Sequence, residues 1–260
     1  MIKAIFFDLD GTLLGSKSGR CSEATKAALA QLRKQGILLF AATGRAPLEL
    51  KRNHMIDDLQ FDAIVALNGQ LSYTPDEVIH SQLFDKDDLA KLLENIAQTP
   101  CPCVVIERDD MYINYIDDSV IKAQESIHSP LPKVQDISNV ASRDVAMLMI
   151  YLPVGEQASQ ILRGLEHSHS TRWHAYGLDI LPNGCSKKTG IDRVLNKFGL
   201  SWDEVMAFGD GENDYEMLKN ARYGVAMGNA DPLLLAGEFY ITDDADSDGV
   251  VSALRHFELL

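Results

Sequence analysis

The stretch IKAIFFDLDGT, residues 2–12, decides the fold of this chain. Its first part, residues 2–7, is a short apolar run, which predicts a buried strand of a parallel sheet. The run ends abruptly in the acidic sequence DLDG at residues 8–11, so the strand leads into a polar loop. Open parallel sheets bind ligands at the carboxyl ends of their strands, and we expect chemistry at this loop.

Strands and helices alternate on either side of a central segment. After the first strand we predict a helix at 22–36, capped by Ser22 and closed by Gly36, a strand at 37–42, a polar helix to about His54, and a strand at 63–67. The alternation resumes with a helix at 186–198, strands at 205–208, 223–226 and 239–242, and helices to Leu218, from Asp231-Pro232 and to Phe257. This order predicts right-handed crossovers and a doubly wound α/β core.

The central segment has a different texture. It contains predicted helices at 87–98 and 155–167, a hairpin of strands 103–107 and 111–116, and a central strand at 146–152. Strands mixed with helices predict an α+β insert, which makes the core discontinuous. The predicted domains are 1–82 (core, first part), 83–182 (insert) and 183–260 (core, second part).

Composition excludes several classes of function. Of 260 residues, 46% are hydrophobic and 24% charged, which argues against disorder and fibres. The formal net charge of −14 repels nucleic acid and anionic membranes, and no apolar run approaches the length of a membrane span. Four cysteines without a CxxC pair, and acidic residues where a secretory signal needs an apolar stretch, predict a cytoplasmic protein with reduced thiols.

Acidic residues follow two of the predicted strands. Asp8 and Asp10 lie two positions apart at a strand end, so their side chains leave on the same side and can converge. Converging carboxylates repel each other unless a cation lies between them, and oxygen ligands suit Mg²⁺. Asp210 ends a later strand and is placed to complete such a site, whereas Asn213 and Asp214 lie at a helix start. Each of these residues alone also fits a solvated turn or a helix cap.

Phosphate-binding groups are predicted at the same edge of the sheet. Thr43 and Gly44 offer a hydroxyl and a bare backbone N–H after the second strand, which suits phosphate oxygens at a helix start. Lys187 follows Ser186 at the start of another helix and can reach a phosphate oxygen. In isolation, the first pair also fits a simple turn, and the lysine fits a solvated side chain.

Taken in order, these motifs resemble the haloacid dehalogenase (HAD) superfamily, and more narrowly its Cof-type (class IIB) sugar-phosphate phosphatases. The motifs are DLDGT at 8–12, TGR at 43–45, Lys187, GDGEND at 209–214 and GVAMGNA at 224–230. The resemblance implies a Rossmann-like parallel-sheet core with an inserted α+β cap of class C2B. Only 32 residues separate Asp10 from Thr43, whereas 143 separate Thr43 from Lys187, so a large cap fits only in the second interval.

The resemblance also implies residue roles. Asp8 would be the nucleophile, forming an aspartyl-phosphate, and Asp10 the general acid and base. Mg²⁺ would be held by Asp8, the Asp10 main-chain carbonyl and Asp210, with Asp214 orienting the site. The groups implied to bind phosphate are Leu9, Thr43, Gly44, Lys187 and Asn213. Family members usually have Ser-Lys-Gly where this chain has Ser186-Lys187-Lys188, which leaves open whether Lys188 shares the role of Lys187.

The predicted function is therefore a phosphoric monoester hydrolase acting on small phosphorylated metabolites, with sugar phosphates the first choice by resemblance. The alternatives are a pyridoxal phosphate or flavin mononucleotide phosphatase, a phosphomutase, and a non-catalytic phosphate-dependent regulator. The cap is expected to close over the core and to choose the substrate. The candidate substrate-side residues are Arg45 and Asn68 in the core and Trp173, His174, Tyr176 and Asp179 on a predicted strand pair, and the oligomeric state stays open.

Overall fold

The computed structural model describes residues 1–153 and 155–260. The described chain forms two compact units, one made of Met1–Ser81 and Ser186–Leu260 and the other of Gln82–Cys185. In chain order, the strands are β1 Ala4–Phe7, β2 Leu38–Ala42, β3 Ala63–Ala66, β4 Leu71–Tyr73, β5 Val78–Ser81, β6 Cys103–Glu107, β7 Met111–Ile113, β8 Lys133–Val134, β9 Val145–Tyr151, β10 Ser168–Arg172, β11 Gly177–Pro182, β12 Val205–Gly209, β13 Tyr223–Ala226 and β14 Tyr240–Ile241. The α-helices are α1 Glu23–Lys34, α2 Pro47–Arg52, α3 Lys86–Gln98, α4 Asp118–Ser126, α5 Glu156–Ile161, α6 Lys187–Phe198, α7 Tyr215–Asn220, α8 Pro232–Leu235 and α9 Gly249–His256.

The first unit is built on one sheet of eight strands in the order β14-β13-β12-β1-β2-β3-β4-β5. The strands from β14 to β3 run parallel, and β4 and β5 are added antiparallel at the edge. β1 lies between β2 and β12, which come from opposite ends of the chain. This is the point at which the strand order reverses, and a crevice at the carboxyl ends of the strands is expected there.

Both faces of this sheet are covered by apolar clusters. On one face, residues of β1 and β2 pack with residues of α1 and α9. On the other face, alternate residues of the same strands pack with α6 and α7. The Phe6 and Phe40 rings stack at 4.6 Å on one side, and the Phe7 and Phe208 rings at 5.2 Å on the other. Burial on both faces explains why β1 is apolar throughout rather than alternating.

The second unit has its own sheet of six strands in the order β10-β11-β9-β6-β7-β8. Its pairs are antiparallel except β7 with β8, and β9 lies between β11 and β6. Apolar residues of β6, β9 and β11 form one core with residues of α3 and α5. This unit is thus an α+β element with its own core, as predicted for the central segment.

Most predicted elements are confirmed, with shifts of a few residues at their ends, and the doubly wound core is confirmed. Three features differ. The helix predicted at 155–167 ends at Ile161, because the chain turns afterwards and Gly164 adopts the left-handed region at φ +78°. The hairpin of β4 and β5 was not predicted. Its strands are short, and they add an antiparallel edge to the parallel sheet.

The aromatic segment at 173–176 is also placed differently from the prediction. Trp173, His174 and Tyr176 lie in the turn between β10 and β11, and of the predicted group Asp179 lies on a strand. The turn is closed by the backbone N–H of Gly177, which donates to the carbonyl of His174 at 3.1 Å. Aromatic residues favour strands, so this local hydrogen bond overrides their propensity. Among residues 1–153 and 155–260, no helix combines the length and apolar character needed to cross a membrane.

Candidate active site

Three strand ends of the first unit meet at one edge of its sheet. The Asp8 backbone N–H donates to Phe208 of the neighbouring β12 at 3.0 Å, which aligns the ends of these two strands. Thr43 follows β2, and its N–H donates to Val65 of β3 at 2.8 Å. Asp210 follows β12 directly. The parallel register therefore brings Asp8, Thr43 and Asp210 to a common edge, as the sequence predicts.

The loop after β1 turns sharply at Gly11. This residue has φ +78°, in the left-handed region that residues other than glycine rarely adopt. A Cβ atom built there would lie 2.3 Å from Oδ2 of Asp210. Both the backbone conformation and the close approach of the Asp210 carboxylate therefore require glycine at this position.

A cluster of three carboxylates surrounds the end of β1. Asp8, Asp210 and Asp214 each offer an oxygen, and these oxygens lie within 4.8 Å of one another. The buried Lys187 donates from Nζ to Oδ1 of Asp8 at 2.5 Å and to Oδ1 of Asp214 at 2.6 Å. One ammonium thus faces three acidic groups, and the cluster carries an excess of negative charge.

The electrostatics of the cluster follow from burial and from this excess. Burial raises the pKa of Asp8 well above its usual value, and Lys187 opposes this rise only in part. Burial and the neighbouring Asp214 likewise raise the pKa of Asp210 to about 7. Burial alone would lower the pKa of Lys187, but Asp214 and Asp8 more than offset that cost and leave it above its usual value.

The donor atoms of this cluster fit a divalent cation. Asp214 is committed to protein contacts, since one oxygen accepts from Lys187 and the other from the N–H groups of Asp210 (3.0 Å) and Gly211 (2.9 Å). Asp210 is held by the Thr12 hydroxyl, which donates to Oδ1 at 2.9 Å. Asp8 and Asp210 thus present oriented oxygens in a site with uncompensated negative charge. Hard cations such as Mg²⁺ favour such oxygen sets.

Asp10 lies apart from this cluster. Its side chain is about one-third exposed (32%), and it is bound by Arg45. Arg45 donates from Nε to Oδ2 at 2.9 Å and from Nη2 to Oδ1 at 2.8 Å. Arg45 in turn donates to Glu49 at 3.3 Å, and Glu49 accepts from the Ala46 N–H at 2.9 Å. Glu49 was not predicted as a site residue, although its position four residues after Arg45 at a helix start is a usable signal in the sequence.

The polar groups predicted to bind phosphate surround the same edge. The buried Thr43 hydroxyl accepts from the Arg45 N–H at 3.1 Å. Asn68 has a left-handed backbone (φ 49°), and its side-chain oxygen accepts from Asn213 at 2.9 Å. Asn68 is almost fully buried, at 1% exposure, and this hydrogen bond links the segments that follow β3 and β12.

The two neighbouring lysines differ in their surroundings. Lys187 is fully buried against Asp8, whereas Lys188 forms an ion pair with Asp192 at 2.8 Å, on its own helix. Ser186 caps this helix and donates to Glu216 at 2.6 Å. The structure therefore brings Lys187, and not Lys188, to the carboxylate cluster.

The remaining predicted residues are Leu9 in the first unit and Trp173 and Asp179 in the second. Leu9 has a fully buried side chain in the core, so only its main chain is available to a ligand. Trp173 and Asp179 belong to the second unit, where Trp173 packs edge-on against Tyr151 at 6.2 Å. Asp179 is buried on β11 between Thr171 and Met149 of the adjacent strands.

Comparison with known proteins gives consistent matches over the whole chain. A family model of haloacid dehalogenase-like hydrolases (Hydrolase_3) matches residues 5–254. YkrA of Bacillus subtilis (strain 168), a protein named as a phosphatase, is 29% identical over 259 residues, which are 99% of this chain and 98% of YkrA. The structure of BT1666 from Bacteroides thetaiotaomicron, studied among HAD phosphatases, is 32% identical, with 100% of this chain and 96% of that chain covered and a TM-score of 0.88. The structure of BT4131, described as a HAD subclass IIB sugar phosphatase, is 27% identical, with 99% and 100% covered and a TM-score of 0.88.

Proposed function

This chain belongs to the haloacid dehalogenase-like hydrolases and is a phosphatase of that superfamily, and on this premise we propose that it hydrolyses small phosphorylated metabolites with Mg²⁺ through Asp8. The observation that carries the proposal is the environment of Asp8. Its carboxylate stands at the end of the central strand, with Lys187 on one oxygen and Asp210 nearby. A nucleophile for phosphoryl transfer needs this combination of an oriented oxygen and local positive charge.

The cation would be held by the Asp8 and Asp210 carboxylates and by the main-chain carbonyl of Asp10. When bound, Mg²⁺ supplies positive charge that offsets the repulsion between a carboxylate and a phosphate. The fit rests on the oxygen donors and the excess negative charge of the cluster. Asp214 fixes the positions of Lys187 and of the backbone after β12 through its hydrogen bonds to both.

In the first step, an Asp8 oxygen attacks phosphorus in line with the leaving alcohol. A bond forms between this oxygen and phosphorus as the bond from phosphorus to the alcohol oxygen breaks. The Asp10 carboxyl group gives its proton to that oxygen, so a neutral alcohol leaves. General acid catalysis of this kind contributes roughly 10²–10⁴-fold to the rate.

In the second step, a water molecule attacks the phosphorus of the aspartyl-phosphate. Asp10, now a carboxylate, takes a proton from the water as the new oxygen–phosphorus bond forms. The bond between Asp8 and phosphorus breaks, inorganic phosphate leaves and Asp8 is restored as a carboxylate. Asp10 is back in its protonated form, so the cycle is balanced.

The other groups at the sheet edge hold the oxygens of the transferring phosphoryl group. We assign this role to the Lys187 ammonium, the Thr43 hydroxyl, the Gly44 and Leu9 main chain and the Asn213 amide. Lys187 and Thr43 are buried, so their bonds to a phosphate form in a medium that screens charge poorly. The side chain of Asn213 is held by Asn68 in the structure, which limits its orientations.

For the substrate we propose sugar phosphates, with the unit Gln82–Cys185 acting as the cap that selects among them. Support comes from the likeness to BT4131, described as a sugar phosphatase, over nearly the whole of both chains. Trp173 and Asp179 stay candidates for contacts with substrate. Pyridoxal phosphate and flavin mononucleotide are the rival substrates.

The expected absence of nucleic-acid and membrane partners and the cytoplasmic location stay predictions of the sequence.

The test is release of inorganic phosphate from a panel of hexose and pentose phosphates, nucleotides, pyridoxal phosphate and flavin mononucleotide, each with Mg²⁺ and with EDTA. We expect release that depends on Mg²⁺ and is fastest with a sugar phosphate. Faster release from pyridoxal phosphate or flavin mononucleotide would replace the substrate assignment. Absence of release across the panel would overturn the proposed function.

The nucleophile is tested by Asp8→Asn, with Asp57→Asn as the matched control at an exposed site. Asp8→Asn removes the attacking charge, so we expect no turnover and a melting curve that still shows a folded protein. Asp57→Asn makes the same chemical change away from the cluster and should retain full activity. Unchanged phosphate release from Asp8→Asn would contradict the assignment.

A further inference from the structure

The Asp10 carboxylate is partly exposed, and both of its oxygens accept hydrogen bonds from Arg45. Arg45 contacts them at 2.9 and 2.8 Å with the two nitrogens of a planar fork. A bidentate guanidinium fixes the plane of a carboxyl group as well as its position. Each carboxyl oxygen has two lone-pair sites, so the contact with Arg45 leaves a site for the proton that Asp10 gives to the leaving-group oxygen. Arg45 thus fixes the orientation of the Asp10 carboxyl group.

Arg45 is itself a buried cation with restricted freedom. Its side chain is only 6% exposed, and Glu49, at 7%, lies 3.3 Å from its Nη1. A buried charge needs a paired and hydrogen-bonded counter-charge, and Asp10 alone is partly in solvent. Glu49 supplies a buried counter-charge. The pKa of Arg45 is raised by Asp10 and Glu49 despite burial, so the guanidinium stays charged.

Glu49 is in turn fixed to the backbone. One of its oxygens accepts from the N–H of Ala46 at 2.9 Å, at the start of α2, while the other faces Arg45. The carboxylate therefore has a defined position in the first turn of the helix. The chain of contacts runs from the backbone at Ala46 through Glu49 and Arg45 to Asp10, and each contact is a charged hydrogen bond.

We propose that Arg45 and Glu49 form a buried positioning pair that holds the Asp10 carboxyl group at the oxygen of the leaving group. The proposal rests on the proposed function, in which Asp10 protonates that oxygen. In this proposal, neither Arg45 nor Glu49 touches the reacting atoms. The pair matters only for the steps in which Asp10 moves a proton. The attack of Asp8 on phosphorus, and the roles of Lys187 and Asp210 in holding the phosphoryl group and the cation, do not depend on it.

Because the pair acts only through proton transfer by Asp10, its loss should affect substrates differently according to their leaving groups. A merely structural role would affect all substrates alike. An alcohol or sugar is a poor leaving group and needs its oxygen protonated, whereas p-nitrophenolate leaves without a proton. The value of kcat/KM reports the first step, including departure of the leaving group, and kcat also reports the second step. Loss of the pair should therefore lower kcat/KM for a sugar phosphate but not for p-nitrophenyl phosphate.

The experiment compares Glu49→Gln and Arg45→Lys with the wild type on glucose 6-phosphate and p-nitrophenyl phosphate. β-Glycerol phosphate replaces glucose 6-phosphate if the wild type does not hydrolyse the latter. Each variant is compared with the wild type on one substrate at a time, so differences in substrate binding cancel. We expect kcat/KM for the sugar phosphate to fall roughly 10–100-fold, the scale of a misplaced catalytic group. For p-nitrophenyl phosphate, kcat/KM should stay near the wild-type value while kcat falls, because Asp10 also serves the second step.

The matched control is Asp62→Asn. Asp62 also accepts from a backbone N–H, that of Leu39 at 2.8 Å, and pairs with an arginine, Arg33, at 3.4 Å. It lies at the opposite end of β2 from the site, so its loss should lower stability and leave kcat/KM unchanged for both substrates. Melting curves are recorded for every variant. Arg45→Lys keeps the positive charge but cannot form the two-nitrogen contact with Asp10. If Glu49→Gln does not fold, the result with Arg45→Lys is the test.

The outcomes separate this proposal from the proposed function. A loss of kcat/KM that is confined to the sugar phosphate in either folded variant supports the positioning pair. Equal losses of kcat/KM for the two substrates, or no loss for either, would overturn it. Asp10→Asn serves as the reference, with a selective loss of roughly 10²–10⁴-fold in kcat/KM. If Asp10→Asn shows the selective loss and neither pair variant does, the proposal fails while the function stands; phosphate release by Asp8→Asn would remove the function itself.

Discussion

Gly11 and Gly36 have nearly the same backbone angle, φ +78° and +81°, but different surroundings. A Cβ atom at Gly11 would lie 2.3 Å from the Asp210 carboxylate, whereas at Gly36 it would meet nothing within 4 Å. The left-handed region costs an ordinary residue about 1–2 kcal/mol. Comparing the two positions therefore separates the cost of conformation from the cost of the clash.

We predict that Gly36→Ala lowers the free energy of unfolding by about 1–2 kcal/mol and leaves phosphatase activity unchanged. Gly11→Ala should cost more, because Asp210 must move, and it should also weaken Mg²⁺ binding. Urea unfolding gives the stabilities, and a titration of activity with Mg²⁺ gives the apparent metal affinity. Equal stability and equal metal affinity in the two variants would contradict the role assigned to the close contact at Gly11.

Thr12 acts on the cluster through one hydroxyl group, which donates to Asp210 at 2.9 Å. Loss of a hydrogen bond that orients a metal ligand costs about 10–100-fold in metal affinity. We predict that Thr12→Val raises the Mg²⁺ concentration for half-maximal activity by this factor, while the rate at saturating Mg²⁺ stays close to that of the wild type. Thr12→Ser keeps the hydroxyl and is the control. An unchanged Mg²⁺ requirement in Thr12→Val would refute the prediction.

At the scale of elements, the residue that caps a helix stabilises that helix and can also position a neighbouring residue of the site. Ser186 caps α6, and Lys187 is the first residue of that helix. Ser22 caps α1 in the same way, accepting from the Thr25 N–H at 3.0 Å, but no site residue follows it. The two caps are alike in chemistry and differ in what they position. The Ser186 cap thus stabilises a helix and also fixes the start of the segment that carries Lys187.

We predict that Ser186→Ala and Ser22→Ala each lower the free energy of unfolding by about 1 kcal/mol. Ser186→Ala should in addition raise KM for the best substrate and weaken inhibition by inorganic phosphate, since Lys187 loses its fixed helix start. Ser22→Ala should leave both constants unchanged. Urea unfolding and steady-state kinetics measure the two effects. A change of KM that is equal in the two variants would show that the effect is not specific to α6.

At the scale of the whole molecule, the cysteines report on folding. All four cysteines are buried thiols. Burial raises the pKa of Cys21 to about 11 and that of Cys101 to about 12, and it raises the pKa of Cys103 well above the usual value. Thiolate, the reactive form, is therefore scarce at pH 8 and also shielded from reagents.

We predict that Ellman's reagent at pH 8 reacts slowly with the native protein and rapidly with all four thiols in guanidinium chloride. The rate with the native protein should rise with pH, because deprotonation produces thiolate. Addition of Mg²⁺ should slow the native reaction further if the cation stabilises the fold. Rapid reaction of several thiols in the native protein would contradict the burial of these side chains in solution.

The sequence predicted the elements that depend on local pattern. The apolar run of β1 and the acidic loop at 8–11 are adjacent in the chain, and the strand ends that meet there follow from the rules of parallel sheets. The β4–β5 hairpin was missed because its strands are short and have no apolar run. The helix at 155–167 was overextended because helical spacing continues beyond the turn at Gly164.

Which side chains meet was decided by the tertiary structure. The sequence by itself determined the doubly wound core, the order of the motifs and the candidate residues at the strand ends, because spacing and hydrophobic periodicity are local properties. Only the packing of α6 against β3 directs Lys187 rather than Lys188 to Asp8, and only the fold of the loop after β2 brings Arg45 onto Asp10. These contacts join residues far apart in the chain, and their energies depend on burial, which the tertiary structure alone creates.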